Sequence, residues 1–227
     1  MSSNTTRRTF LAAAGAVAAG LTAQTALGQA AGTAAPKGIK IVGISCSPRK
    51  GKTTAAALQA ALDAAKSADP AIEVELIELA GMKIDLTSVP DQPDDLAKLV
   101  EKLGDPKIAG IIVGTPVYMG TMTTLCKLLF DRCMALRRNN FALRDKVGGA
   151  LAVGGVRNGG QEITLQSILM SMLCQDMVIV GDGKPTAHFG ATLLNNGKDD
   201  VSGDEFGLTT AKGLGKRVAE VALRMAR

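Results

Sequence analysis

The chain has 227 residues, 46% hydrophobic and 21% charged, which is the balance of one globular domain with a real core. Its first 35 residues hold Arg7 and Arg8 and no acid, so the remainder carries 24 basic and 21 acidic side chains, a formal charge of +3 with no clustered basic stripe, which argues against nucleic-acid binding. Aromatic residues make up 3%, with one Tyr and no Trp, so any flat ligand must be held mostly by backbone, aliphatic and amide groups.

Residues 1–35 read apart from the rest. "TTRRTFLAAAGAVAAGLTAQTALGQA" sets two arginines before an Ala- and Gly-rich apolar stretch, a targeting segment to be left out of the fold. "TRRTFL" matches the twin-arginine export signal, which predicts a periplasmic protein cleaved after Ala30 or Ala35. An uncleaved signal would serve instead as an N-terminal membrane anchor, since the mature sequence has no other spanning segment. Residues 36–227 make up the predicted domain.

Strand-like apolar runs then alternate with helical patterns. "IKIVGIS" (39–45) predicts a strand and "TTAAALQAALDAAK" (53–66) a helix that stops before Pro70. "IEVELIEL" (72–79) predicts a second strand and "PDDLAKLVEKL" (93–103) a second helix. "IAGIIVGT" (108–115) and "TLCKLLFDRCMALRR" (124–138) follow as a third pair, and "KVGGALAVGG" (146–155) and "QEITLQSILMSMLC" (161–174) as a fourth. "MVIVG" (177–181) predicts a fifth strand, followed by a long link and a last helix over 209–227.

This alternation implies a parallel sheet covered on both faces. Strands one, three and four are continuously apolar, as doubly covered strands are. The second strand alternates Glu73 and Glu75 with Val74 and Leu76, which suits a sheet edge. A five-stranded parallel sheet of order 2-1-3-4-5 satisfies both points and gives a flavodoxin-like three-layer α/β sandwich. In that order ligands bind beyond the carboxyl ends of strands one, three and four.

The four cysteines, Cys46, Cys126, Cys133 and Cys174, form no CxxC pair, and there is one His, so no structural zinc site is expected. Cys126 and Cys133 lie about 10 Å apart along one predicted helix, too far to bridge. All four thiols are expected to be buried as small hydrophobes.

The loop after strand one, "GISCSPRKGKTT" (43–54), ends like a triphosphate-binding loop, but that motif needs Gly where Cys46 stands. No apolar strand ends in Asp to hold Mg²⁺ either. The loop nevertheless joins a strand to a helix N-terminus, where free amides and the helix dipole attract an anion. Ser45, Ser47, Thr53 and Thr54 add hydroxyls, Arg49 and Lys52 add charge, and Pro48 stiffens the turn. The loop after strand three, "GTPVYMGTMTT" (114–124), offers apolar faces from Tyr118 and Met119. The loop after strand four, "GGVRNGGQE" (154–162), lets backbone approach a ligand closely and adds hydrogen bonds from Arg157, Asn158 and Gln161.

Together the three loops resemble those of the NAD(P)H-dependent FMN reductase family, in particular its branch containing the iron–sulfur flavoproteins. "SPRKGKTT", "TPVYMGTMTTLCKLLFDR", "GGVRNGGQE" and "HFGATLLNNGKDDVSGDEFGLTTAKGLGKRVAE" carry the resemblance, which spans roughly residues 38–227. It implies that Ser45, Ser47, Arg49, Lys52, Thr53 and Thr54 hold the FMN phosphate. Pro116, Val117, Tyr118, Met119 and Gly120 would line the flavin ring, and Gly155, Arg157, Asn158, Gly159 and Gly160 would close over its other side. Two departures stand out. Lys52 replaces a small polar residue, and "ELAGMKIDLTSVPDQPDD" (78–95) lacks the cysteines of an iron–sulfur cluster, so none is expected.

The expected activity is that of an FMN oxidoreductase passing electrons from NAD(P)H or another reduced donor to a quinone, a flavin or another acceptor, with the flavin doing the redox chemistry. Arg157 and the single His188 are the side chains expected to contribute. The alternative is an exported flavodoxin-type carrier without NAD(P)H activity, although carriers of that type are strongly acidic. A homo-oligomer, dimer or tetramer, is expected. Because NAD(P)H is cytoplasmic, export also raises a membrane redox partner as donor.

Overall fold

The computed structural model describes residues 38–87, 89, 93–195, 197 and 199–226, so Arg7, Arg8 and both expected cleavage positions lie outside the described residues. The chain runs β1 (Ile39–Ser45), α1 (Thr53–Lys66), β2 (Ile72–Glu78), α2 (Asp95–Leu103), β3 (Ile108–Pro116), α3 (Thr124–Arg132), α4 (Met134–Arg138), β4 (Val147–Gly154), α5 (Gln161–Leu173), β5 (Val178–Ile179), β6 (Ala191–Leu194) and α6 (Glu205–Met225). The sheet order is β2-β1-β3-β4-β5 and every pairing is parallel, with β6 also pairing β4.

Alternation along the strands divides the core into two layers. Ile41, Ile112 and Leu151 point to the face covered by α1 and α6. Val42, Ile44 and Val113 point to the face covered by α2, α3, α4 and α5. On the first face the two helices nearly touch: a Cβ on Gly215 would stand 1.8 Å from the Ala61 carbonyl oxygen, so only glycine allows that crossing. The β2 edge is held from outside, where Glu75 pairs with Lys40 at 3.0 Å and with Lys102.

Three expectations need correction. The fifth strand is only two residues long, and a sixth strand, unforeseen in the long link, takes the rest of its place. Val147 and Gly148 of β4 pair with β5, while Leu151–Gly154 pair with β6. Between them the chain leaves the sheet at Asp182, whose carboxylate accepts the His188 amide and the Thr186 hydroxyl and so folds residues 182–188 into a turn. Second, the expected helix 124–138 is two helices, broken at Cys133 where the Leu136 amide donates to the Cys133 carbonyl at 3.0 Å and tightens the turn. Third, α6 starts at Glu205, four residues early, because Asp204 caps it by accepting the Gly207 amide at 3.1 Å.

Cys46, Cys126 and Cys133 are buried, but Cys174 is exposed, against the expectation that all four are core residues. Burial pushes the Cys133 thiol up to about 12 and lifts Cys46 well above the ordinary range, with the neighbouring Cys126 thiol adding to the rise. Both are inert at neutral pH.

Candidate functional site

The loops after β1, β3 and β4 leave the same end of the sheet, and short contacts fix them against one another. The Cys46 amide donates to the Gly114 carbonyl at 2.8 Å, and the Val117 amide to the Val153 carbonyl at 2.9 Å. Thr123 links the first two loops. Its hydroxyl donates to the Cys46 carbonyl at 2.8 Å and accepts the Cys126 amide at 3.2 Å, capping α3, while its own amide donates to the Thr115 hydroxyl at 3.1 Å. The second and third loops meet at two glycines. A Cβ on Gly160, whose φ is +103°, would lie 3.0 Å from the Gly120 Cα.

The first loop is built to take an anion. Lys52 occupies the N-cap position of α1 without a side-chain cap, so the first-turn amides keep their dipole undiminished. Ser47 is buried, and its hydroxyl accepts the Arg49 amide at 3.1 Å. Thr53 and Thr54 are buried in the first turn of α1. Ser45 lies beneath the loop as the last residue of β1, fully buried, and its hydroxyl has no partner. Carboxylates already rest on the loop's donors. Asp199 sits 2.5 Å from Arg49 and 3.5 Å from Lys52, and Glu78 accepts the Gly51 amide at 2.7 Å. The hydrogen bond from Arg49 holds the Asp199 carboxyl below its usual value, with Lys52 adding to the effect.

The second loop turns through Tyr118–Thr121, whose backbones exchange hydrogen bonds of 2.9 and 3.1 Å. Met119 and Gly120 at its tip have φ of 51° and 79°, and the Met119 side chain is fully exposed, with Tyr118 half exposed beside it. Pro116 ends β3 and Val117 packs on the core. In the third loop Gln161 acts on the loop rather than reaching outward: its amide donates to the Val156 carbonyl and accepts the Gly159 amide, both at 2.8 Å. Gly155 has open space around its Cα, and Asn158 takes a left-handed conformation with φ 58°. Arg157 pairs with the buried Asp204 at 3.0 Å, and Asp204 also accepts the Leu194 amide at 2.7 Å. Beyond this loop lies a cavity of about 400 Å³ lined by Arg157, Asn158, Ile163, His188, Leu193 and Phe206. It shares residues with the third loop but none with the first.

The structure brings the three predicted loops to one edge and sets His188 in the cavity beyond the third, beside Arg157 and Asn158. The sequence reading misses Thr123, Glu78, Asp182, Asp199 and Asp204. Thr123 and Asp204 carry a local signal, a capping residue ahead of a helix. Glu78 and Asp199 act on partners 27 and 150 positions away, and Asp182 acts within its own turn, on residues four and six positions on.

The residues fit FMN. An uncapped helix start with cations and buried hydroxyls suits the phosphate, an exposed apolar turn suits the ring, and open glycine backbone suits close approach. Comparison with known proteins agrees. The family model described as NADPH-dependent FMN reductase matches residues 39–192. An iron-sulfur flavoprotein of Methanosarcina thermophila is 43% identical over 184 residues, 78% of this chain and 93% of that one. A NAD(P)H dehydrogenase (quinone) of Caulobacter vibrioides is 32% identical over 173 residues, 64% of this chain and 85% of that one. Among solved structures, a WrbA-like flavodoxin from Agrobacterium tumefaciens superposes with a TM-score of 0.58 over 82% of this chain and 98% of that one, at 20% identity. Sheet order, loop placement and sequence lead to one conclusion: the chain belongs to the NADPH-dependent FMN reductase family.

Proposed function

We propose that the chain binds FMN across the three loops and passes electrons from NAD(P)H to a small-molecule acceptor such as a quinone or a flavin. The observation that carries this reading is the convergence of the loops after β1, β3 and β4 at the point where strand order reverses, the position at which open parallel sheets bind ligands. Ser47, Arg49, Lys52, Thr53 and Thr54, with Ser45 beneath them, hold the phosphate. Pro116 to Gly120 lie along one side of the ring, and Gly155 and Arg157 to Gly160 lie along the other. FMN, when bound, supplies the two-electron chemistry. The protein's part is to position the flavin, exclude water and set the surrounding charge.

No iron–sulfur cluster belongs to this reading, although several relatives are named for one. Residues 78–95 contain no cysteine, and the chain's four cysteines are Cys46, Cys126 and Cys133 in the core and Cys174, exposed just past the end of α5. Exposed Phe141, Met170 and Leu173, which line one groove, support a homo-oligomer. The twin arginines support export to the periplasm as a domain of residues 36–227, where a membrane quinol would be an available donor. Arg7→Lys with Arg8→Lys should then leave the unprocessed chain in the cytoplasm, and normal export of that variant would remove the signal from the account.

The test of the activity is a spectrum of the purified protein followed by anaerobic addition of NADH or NADPH. The expected result is the two visible flavin bands, bleached by one of the nucleotides, with no stoichiometric iron. A chain that takes up no FMN refutes the site. A chain that binds FMN but is reduced by neither nucleotide refutes the reductase reading and leaves an electron carrier.

A further inference from the structure

The turn between β5 and β6 builds an acid–base pair that the flavin loops do not use. Asp182 is fully buried and accepts the amide of His188 and the hydroxyl of Thr186, so its carboxylate is fixed from two sides. Its Oδ2 lies 3.5 Å from Nδ1 of His188. A carboxylate at Nδ1 favours the proton on that nitrogen and leaves Nε2, on the far edge of the ring, as the nitrogen available to the cavity. The imidazole is 40% exposed there and meets the Phe206 ring edge-on at 6.0 Å.

The rest of the cavity is equally specific in chemistry. Phe206, Ile163 and Leu193 give it apolar walls, and Asn158 and Arg157 give it polar ones. Asp204 balances the charge of Arg157, and Glu162 adds a negative charge, so the cavity does not favour a strongly anionic ligand. Its volume of about 400 Å³ matches a ligand of one or two fused rings. Arg157, Asn158 and Gly160 belong both to the cavity and to the loop assigned to the flavin, so a ring seated in it lies against the cofactor's own loop.

We propose that this cavity binds a planar aromatic carrying a carbonyl or hydroxyl oxygen, and that His188, positioned by Asp182, transfers a proton to or from that oxygen. The proposal rests on the FMN oxidoreductase reading. With a quinone as acceptor, bound FMN in its reduced form would supply two electrons and one proton as hydride and be left oxidised. The second proton passes from Nε2–H of protonated His188 to the remaining quinone oxygen: the N–H bond breaks, an O–H bond forms, and hydroquinone leaves. Solvent returns the proton to the imidazole. With a quinol as donor the same atoms act in reverse, Nε2 accepting the hydroxyl proton.

The chain contains one histidine, so a single imidazole reports on the site. The test labels that histidine with ¹⁵N and titrates 2-naphthol, a redox-sluggish two-ring phenol, into the FMN-loaded protein. The Nε2 resonance should shift to saturation, with Nδ1 in its protonated position in the neutral form. In stopped-flow reoxidation of the photoreduced protein, His188→Gln should lower the ratio of the benzoquinone rate to the ferricyanide rate by about 10²-fold, because ferricyanide takes electrons and no proton. An imidazole unmoved by 2-naphthol, or an unchanged ratio, overturns the proposal while leaving the flavin reading intact. Failure to bind FMN overturns the flavin reading, and the imidazole titration can still be read on the flavin-free chain.

Discussion

Arg132→Met is expected to lower the free energy of unfolding by about 3–5 kcal/mol, the range for breaking a buried ion pair from one side. The Arg132 side chain is fully buried. Its Nε donates to the Thr87 carbonyl at 3.0 Å, and its Nη2 donates to the Asp85 carbonyl at 2.9 Å and to the Asp94 carboxylate at 3.0 Å. Methionine fills much of the same space but leaves those acceptors without the guanidinium. Burial pushes the Asp94 carboxyl up, yet the amides of Ala97 and Asp85 and the Arg132 charge outweigh it and hold the group below its ordinary value. A depressed folded value means that Asp94 adds its full stability above the unfolded value of about 3.9 and loses it as pH falls through the folded one. Urea unfolding of wild type and Arg132→Met should therefore differ widely at neutral pH and less in strong acid. A gap under about 1 kcal/mol at neutral pH, the size of a surface pair, would mean that water replaces the guanidinium.

That buried arginine also shows what the sequence could and could not convey. "FDRCM" reads as one helix with a charged outer face, and nothing local tells that Arg132 turns inward to hold a segment near Asp85, 47 positions away. By contrast, β1 and α1 have the bounds their sequence predicts, because an apolar run, a proline-stiffened charged loop and an alanine-rich stretch leave no competing register. The fifth strand fails for the opposite reason. "MVIVG" and "ATLL" are both apolar and β-branched, and which of them lies beside a given part of β4 is decided by contact with β4.

The site divides along the same line. The loops proposed to hold the phosphate and the flavin are local objects: hydroxyls, cations and glycines within a dozen residues announce them. The carboxylates that tune them are not local. Glu78 reaches Gly51 from 27 positions away, Asp204 reaches Arg157 from 47, and Asp199 reaches Arg49 from 150. Each arrives only because the parallel sheet brings successive carboxyl ends to one edge. A charged residue in a loop gives no sign of which distant loop it will face.

Those distant carboxylates sharpen the prediction with the largest effect on binding. Ser47→Ala combined with Thr53→Ala is expected to weaken FMN by about a hundredfold or more. Each hydroxyl loses one hydrogen bond to a charged group, worth about 1.5–3 kcal/mol, and about 1.4 kcal/mol is a factor of ten. Riboflavin, which lacks the phosphate, should lose little, so fluorescence titration of both ligands separates a phosphate contact from general damage to the loop. Equal losses would place the phosphate elsewhere. Asp199→Ala should act in the opposite direction. Its carboxylate occupies Arg49 and Lys52, the two cations proposed to hold the phosphate. Freeing them should tighten FMN severalfold, leave riboflavin unchanged and steepen the dependence of FMN affinity on salt, as exposed charge pairs do. If Asp199→Ala weakens FMN instead, the carboxylate shapes the loop for the phosphate rather than competing with it.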